Sequence, residues 1–326
     1  MTVNQDAAQI NQCLYQEQAT NLIKNAWDNN KLASSYLFWG PEGTGRLSLA
    51  KELAQAMNCQ EHSFPPCLVC SSCKRIEKNI HPDVRCIQKE NSSYIKIEQI
   101  HQLRKEIYLH PFEASYKVFI ILNAEDLTPE ASNSLLKVLE EPPKDSLVIL
   151  IASDLRRIFG TIISRCQKVR FRPLMREDLE KILVRDYSLD KGLSHFLGFI
   201  FEGRLGKALE AKQQDLLSRK NEIVNNFITN PATLLDRYDT RDKESLDWIL
   251  RIIISCVRDV YLLKAGISKS QLVNEDIAGL LSVVAKKYSY LELNRILRQL
   301  SEYLENLRQN INPRLLVDNL GVLWKK

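Results

Sequence analysis

The sequence predicts an α/β domain with a parallel sheet that gives way, after residue 173, to helices alone. Three observations predict it. A glycine-rich loop, Gly40-Pro41-Glu42-Gly43-Thr44-Gly45, separates the apolar run Tyr36–Trp39 from the helical stretch Leu49–Ala54. Two further apolar runs, Lys117–Leu122 and Ser146–Ala152, have the length of buried strands and alternate with helical stretches. Beyond Arg172-Pro173 the strand signal stops, and apolar residues recur at helical spacing.

Taken in order, residues 10–35 read as helix, with Leu14, Ala19, Leu22, Ile23 and Ala26 on one face. Tyr36–Trp39 is a strand, the glycine loop follows, and a helix opens after it. Between the two longer strands, Pro129–Glu140 is a helix with proline at its start, stopped by Pro142-Pro143. Residues 175–212 read as short helices separated by Gly192, Gly203 and Gly206, and everything from about 215 onward as helix. Trp248, Ile249, Ile252, Ile253, Cys256, Val257 and Val260 make one broad apolar face. Leu293, Ile296, Leu297, Leu300, Leu304 and Leu307 make another. Three parts follow: an α/β nucleotide-binding-type domain over 1–173, a small helical domain over 174–212, and a C-terminal helical domain over 213–326.

Length and composition bound the function classes. A chain of 326 residues, 44% hydrophobic and 26% charged, is ordinary for a globular protein of two or three domains. The net charge of +5 permits nucleic-acid contact without arguing for it. No apolar run approaches the roughly 20 residues of a membrane helix, and no signal pattern starts the chain, so a cytoplasmic protein without a membrane partner is expected. Eight cysteines in that setting read as thiols or metal ligands rather than disulfides.

Gly40-x4-Gly45 has the strand–loop–helix setting of a phosphate-binding loop, in which backbone N–H groups and a helix N-terminus face phosphate oxygens. Its chemistry is altered. Arg46 holds the lysine position, and Leu47 holds the position of the hydroxyl that ligates Mg²⁺. An alkyl side chain cannot coordinate a cation that takes oxygen ligands. A hydrolase of this type also needs carboxylates at the end of a neighbouring strand. Leu122 and Asn123 stand there, with Glu125 and Asp126 about a turn later. ATP binding at Gly40, Gly43, Gly45 and Arg46 is therefore doubtful, and hydrolysis more so.

Cys67-x2-Cys70-x2-Cys73 sets three thiols at converging spacing, and Cys59, seven residues earlier in the gap count, supplies a fourth. Four thiolates make a closed tetrahedral site suited to structural zinc, with an iron–sulfur cluster as the alternative. Cys86 is a stand-in for Cys59, and His62 and His81 are further ligand candidates. Cys13, Cys166 and Cys256 read as small buried apolar residues.

The chain resembles the clamp-loader subunits of the AAA+ superfamily in bacterial DNA polymerase III. Ser35–Gly45, Thr128–Pro143, Ile163-Ser164-Arg165-Cys166 and Gln309–Leu316 carry the resemblance. It implies a pentameric arc that loads a sliding clamp onto primed DNA, with the motor (gamma/tau) and delta subunits as partners. It also implies a zinc module after the phosphate-loop helix, whose first gap is more often eight residues than seven. Ser164-Arg165-Cys166 matches the motif whose arginine acts in trans, so the resemblance makes Arg165 the finger for a neighbour's γ-phosphate. The plain alternative is one more surface cation beside Arg156, Arg157 and Arg170. Gly203–Leu209 resembles the family's second sensor, with Lys207 where active members carry arginine. The expected function is a non-hydrolysing clamp-loader subunit whose C-terminal helices form a collar. The alternatives are an ATP-hydrolysing motor subunit of the same assembly and a free-standing zinc and nucleic-acid binding module.

Overall fold

A computed structural model describes residues 15–90, 92–213, 216–229 and 243–308. Leu14, Cys13 and the collar-like segment 309–316 lie outside the described residues. The chain divides into two compact units, Met1–Leu174 with Arg204–Lys207, and Met175–Gly203 with Ala208–Lys326.

The first unit is built on five strands: β1 (Ser35–Trp39), β2 (Val84–Ile87), β3 (Lys117–Ile121), β4 (Ser146–Ala152) and β5 (Gln167–Arg170). They pair in parallel in the order β2-β3-β4-β1-β5. The apolar runs become the central strands because both faces are covered: every residue of β3 and β4 is buried. Side-chain alternation divides the core. Tyr36 and Phe38 enter one cluster with Leu49, Leu53 and Ile149, while Leu37 enters the other with Leu135, Val148 and Leu150.

Several elements follow the sequence pattern closely. Helix Pro129–Glu140 has proline at its first turn, and the Thr128 hydroxyl caps it by accepting from the Ala131 N–H at 3.2 Å, an arrangement worth about 1 kcal/mol. Helix Glu17–Asp28 is shorter than the helix expected over 10–35. β2, β5 and helix Ile97–Ile107 have no counterpart in the sequence reading. The two strands are edges four residues long with exposed positions, Arg85 and Cys86 in β2 and three of the four residues in β5, so no apolar run marks them.

Register places the functional loops. Trp39 pairs with Ala152, and Ile121 with Leu150, so β1, β3 and β4 end together. The glycine loop, residues 122–126 and Ser153 therefore gather at the carboxyl ends of the central strands, where open parallel sheets hold ligands.

The second unit is helical, with Arg176–Tyr187, Lys191–Phe201, Leu216–Thr229, Lys243–Lys264, Ala278–Lys287 and Tyr290–Arg308 as its main elements. Gly203 separates two helices as expected, but the other two breaks differ. Gly192 and Gly206 lie within helices Lys191–Phe201 and Leu205–Gln213, and the first break is Ser188–Asp190. There Ser188 takes a left-handed conformation and Asp190 caps the next helix through the Leu193 N–H at 2.9 Å. The two apolar faces expected after residue 215 pack on each other, since Lys243–Lys264 meets Tyr290–Arg308. Trp248, Ile252 and Val260 are buried along with Leu293, Ile296 and Leu300.

Residues 265–277 leave the helix that was expected to continue. A buried carboxylate explains the departure. Asp259 accepts the N–H of Val273 at 3.3 Å and of Asn274 at 2.7 Å, satisfying loop backbone inside the unit.

Candidate functional site

The phosphate-type loop turns on three glycines at positive φ: Gly40 at 145°, Gly43 at 78° and Gly45 at 90°. The Gly40 N–H donates to the Ala152 carbonyl at 3.1 Å, fixing the loop to the end of β4. Thr44 is buried, and its hydroxyl is spent on the Pro41 carbonyl at 2.7 Å. Gly45 precedes helix Arg46–Met57 directly.

The two substituted positions separate in space. Arg46 is only 5% exposed, whereas Leu47 is 36% exposed. Burial pushes the Arg46 guanidinium below its ordinary range, and Glu42 and Glu125 pull it back. One guanidinium nitrogen, Nη1, is buried without a hydrogen-bond partner. Arginine has therefore entered the protein beneath the loop, while an alkyl chain occupies the metal-ligating position.

Glu125 and Asp126 have partners at the strand ends and on the surface, while Glu125 Oε2 is buried without a hydrogen-bond partner. Asn123 takes a left-handed conformation that turns the chain out of β3 into a short 3-10 turn over Ala124–Asp126. Glu125 Oε1 accepts from the Ser153 N–H at 2.9 Å and from its hydroxyl, joining the ends of β3 and β4. Asp126 meets the surface cations Lys89 at 3.2 Å and Arg157 at 3.7 Å. Leu122 packs against the core. In the sequence Glu125 stands about a turn beyond the strand-end position, and the fold brings it to the end of β4. Its charge beside a loop bearing arginine was the available signal.

Segment Arg204–Lys207 also reaches this loop. The Gly206 N–H donates to the Gly43 carbonyl at 2.8 Å, and Lys207 Nζ stands 3.6 Å from Glu42. Lys207 packs so tightly that a Cβ on Gly43 would lie 2.8 Å from its Cγ.

Arg165 lies just past the short helix Gly160–Ile163. Its Nη1 donates to the Thr161 carbonyl at 2.9 Å, and its Nη2 pairs with Glu140 at 2.6 Å. Its guanidinium side chain is 34% exposed. None of these partners belongs to the chain's own glycine loop. Sequence reasoning passed over Glu140, whose link to Arg165 depends on two helix ends meeting in space.

The four predicted thiols converge. The sulfurs of Cys59, Cys67, Cys70 and Cys73 all lie within 4.8 Å of one another, with Cys59 and Cys73 buried and the other two half-buried. Four sulfurs at ~2.3 Å from one zinc ion would stand about 3.8 Å apart, so the set fits that ion with little movement. Backbone N–H groups already point at the sulfurs: Cys67 to Cys59, Cys70 to Cys67 and Cys73 to Cys70, at 3.4–3.5 Å. Such donors stabilise thiolates and orient ligands. Burial opposes ionisation of Cys70, but the N–H groups of Gln60 and Cys73 and the adjoining thiols carry it down to about 6. Burial pushes Cys73 up.

The reserve ligands stand apart. Cys86 lies on β2 with its sulfur 3.9 Å from Asn79 Oδ1, so the cluster takes Cys59 and not its stand-in. His62 is outside the cluster among the described residues. His81 is buried, accepting the Asp83 N–H on Nδ1 at 3.1 Å and facing the Ser72 hydroxyl with Nε2 at 3.2 Å. It braces the helix that carries Cys73. Cys166 and Cys256 are buried, as expected.

Known proteins resemble this chain along most of its length. Two family models match, both described as DNA polymerase III, delta subunit: one over residues 15–175, the other, for the C-terminal part, over 214–326. The chain is 29% identical over 331 residues to DNA polymerase III subunit delta' of Bacillus subtilis, covering 95% of this chain and 96% of that protein. It is 36% identical over 186 residues to the tau subunit of the same organism, covering 54% of this chain and 33% of that protein. Among solved structures, a gamma subunit-related protein of Thermotoga maritima aligns with 94% of this chain and 98% of its own, at TM-score 0.48 and 16% identity. No helix among the described residues is long and apolar enough to cross a membrane.

Proposed function

The chain belongs to the DNA polymerase III delta-subunit family of clamp-loader proteins, and from that premise we propose that it is a delta-prime-type subunit that does not hydrolyse ATP. The observation that carries the reading is the metal-ligating position of the loop, held by the half-exposed alkyl chain of Leu47 beside a buried Arg46. Mg²⁺ takes oxygen ligands, and an alkyl side chain at that position offers none. Leu122, at the strand-end position, packs against the core and carries no carboxylate, and Glu125 Oε1 is engaged by Ser153.

Arg165 acts on another subunit. Its guanidinium is on the surface, and its partners lie outside the chain's own loop. It supplies a planar, permanently charged donor to the γ-phosphate held by an adjoining gamma/tau subunit, where negative charge grows during transfer to water. The chain thereby contributes to turnover in an assembly without an active site of its own.

The remaining parts serve the assembly. Residues 1–173 form the nucleotide-binding-type domain, 174–212 a helical lid and 213–326 the collar that joins gamma/tau and delta. Zinc, when bound, knots Cys59, Cys67, Cys70 and Cys73 into one structural unit that closes all four coordination positions. The assembly opens the sliding clamp and closes it on primed DNA in the cytoplasm. Contact with the DNA backbone is independent of sequence and weakens with salt.

The test is DNA-stimulated ATP turnover by the reconstituted assembly, with native chain and with Arg165→Ala, after size-exclusion chromatography has matched the two preparations. A large loss of turnover supports the trans role. Equal turnover in an intact assembly overturns it.

A further inference from the structure

The Arg165 guanidinium is already engaged within its own chain. Nη2 meets Glu140 Oε1 at 2.6 Å, while Nη1 meets the Thr161 carbonyl at 2.9 Å and the Ser164 hydroxyl at 3.4 Å. Its fork is thus held between the end of helix Pro129–Glu140 and the end of helix Gly160–Ile163.

Glu140 is the last residue of its helix. Unpaired carbonyls concentrate negative charge at a helix C-terminus, so a carboxylate is disfavoured there and a cation favoured. Glu140 therefore adds its charge to a helix end that already draws Arg165. The hold is nevertheless loose, because the two side chains are 34% and 46% exposed. A phosphate oxygen and the Glu140 oxygen also make the same demand on Nη2. Nη2 has two N–H groups, so the contest is one of charge: a phosphate brought up to this fork would meet the Glu140 carboxylate, and the like charges repel.

We propose that Glu140 is a positioning residue that competes with the neighbour's γ-phosphate for Arg165, holding the finger back until the subunits are drawn together. The proposal rests on the trans role of Arg165. Only the fraction of chains with a released guanidinium can serve the neighbour, so the pair lowers turnover by that fraction. An exposed ion pair of this kind shifts such a balance about two- to five-fold.

Two readouts test it. In the isolated chain, phenylglyoxal labelling of Arg165, followed by peptide mass spectrometry, should run about two- to five-fold faster in Glu140→Gln than in native protein. In the reconstituted assembly without DNA, Glu140→Gln should raise ATP turnover by a similar factor, and Glu140→Asp should stay near native. The double variant with Arg165→Ala should fall to the Arg165→Ala rate. Unchanged labelling in Glu140→Gln, or turnover equal to or below native while Arg165→Ala loses it, overturns the competition and leaves the trans role standing. Unchanged turnover in Arg165→Ala overturns both.

Discussion

Gly40 stands so close to Phe171 that a Cβ at position 40 would lie 2.2 Å from the Phe171 carbonyl oxygen. The start of the glycine loop and the segment after β5 are thus in backbone contact, fixed by the Phe171 N–H on the Trp39 carbonyl at 2.8 Å. Gly40 also has φ of 145°, which L side chains rarely adopt. Gly40→Ala should destabilise the first unit by about 2 kcal/mol or more. Urea unfolding would measure it, with Gly160→Ala, at an open position, as the near-neutral comparison.

Restoring the loop alone should not restore hydrolysis. Arg46→Lys with Leu47→Thr supplies the missing amine and hydroxyl, yet Leu122 and Asn123 still offer no carboxylate and Glu125 stays on Ser153. Phosphate release by the isolated double variant with Mg²⁺ and ATP should remain at background.

The thiol cluster should hold one zinc ion per chain by elemental analysis. Cys70→Ser or Cys73→Ser should remove it and lower the melting temperature by about 5 °C or more, because metal binding is linked to folding. Chelation of the native chain should have the same direction of effect, while Cys86→Ser should leave zinc content unchanged.

Asp83 gives the stability a pH dependence. Burial alone would raise its carboxyl, but N–H groups of Glu113, Phe112 and Ala114 outweigh burial and hold it below the ordinary carboxylate range. Those bonds measure 2.7–3.1 Å. The stabilisation is present above the unfolded value of about 4 and is lost as pH falls through the lower folded value. Asp83→Asn should cost about 1–3 kcal/mol at neutral pH. Its urea midpoint should also fall less than the native one on acidification.

In the helical unit, Asp259 is fully buried and takes two backbone N–H groups, the Asn274 amide at 2.9 Å and Arg258 at 2.9 Å. Asp259→Ala strands these donors and should cost about 3 kcal/mol. Asp259→Asn should cost less. Chemical denaturation followed by helical circular dichroism would separate them.

The most legible elements were those whose signal is local. Pro129–Glu140 could be read from its proline, cap and apolar face, and β4 from an unbroken apolar run. The four thiols were legible because ligand spacing is a local property of the chain. β2 and β5 were not, since an edge strand alternates with solvent and makes no apolar run. The glycine breaks misled at Gly192, where Ser188 made the turn instead, and at Gly206, which a helix takes into its first turn.

What the sequence by itself determined is the list of groups: a phosphate-type loop lacking its lysine and hydroxyl, four clustered thiols, an arginine in a Ser-Arg-Cys motif, and the run of helices after residue 173. Tertiary structure decided which of these groups meet. Parallel register brought the ends of β3 and β4 together and gave Glu125 to Ser153. The packing of two helix ends gave Arg165 to Glu140, and burial of the loop helix drew Arg46 inward while leaving Leu47 half exposed. Spacing along a chain fixes which residues share a helix or strand face. Charge partners separated by tens of residues are chosen when burial and backbone pairing bring distant segments into contact.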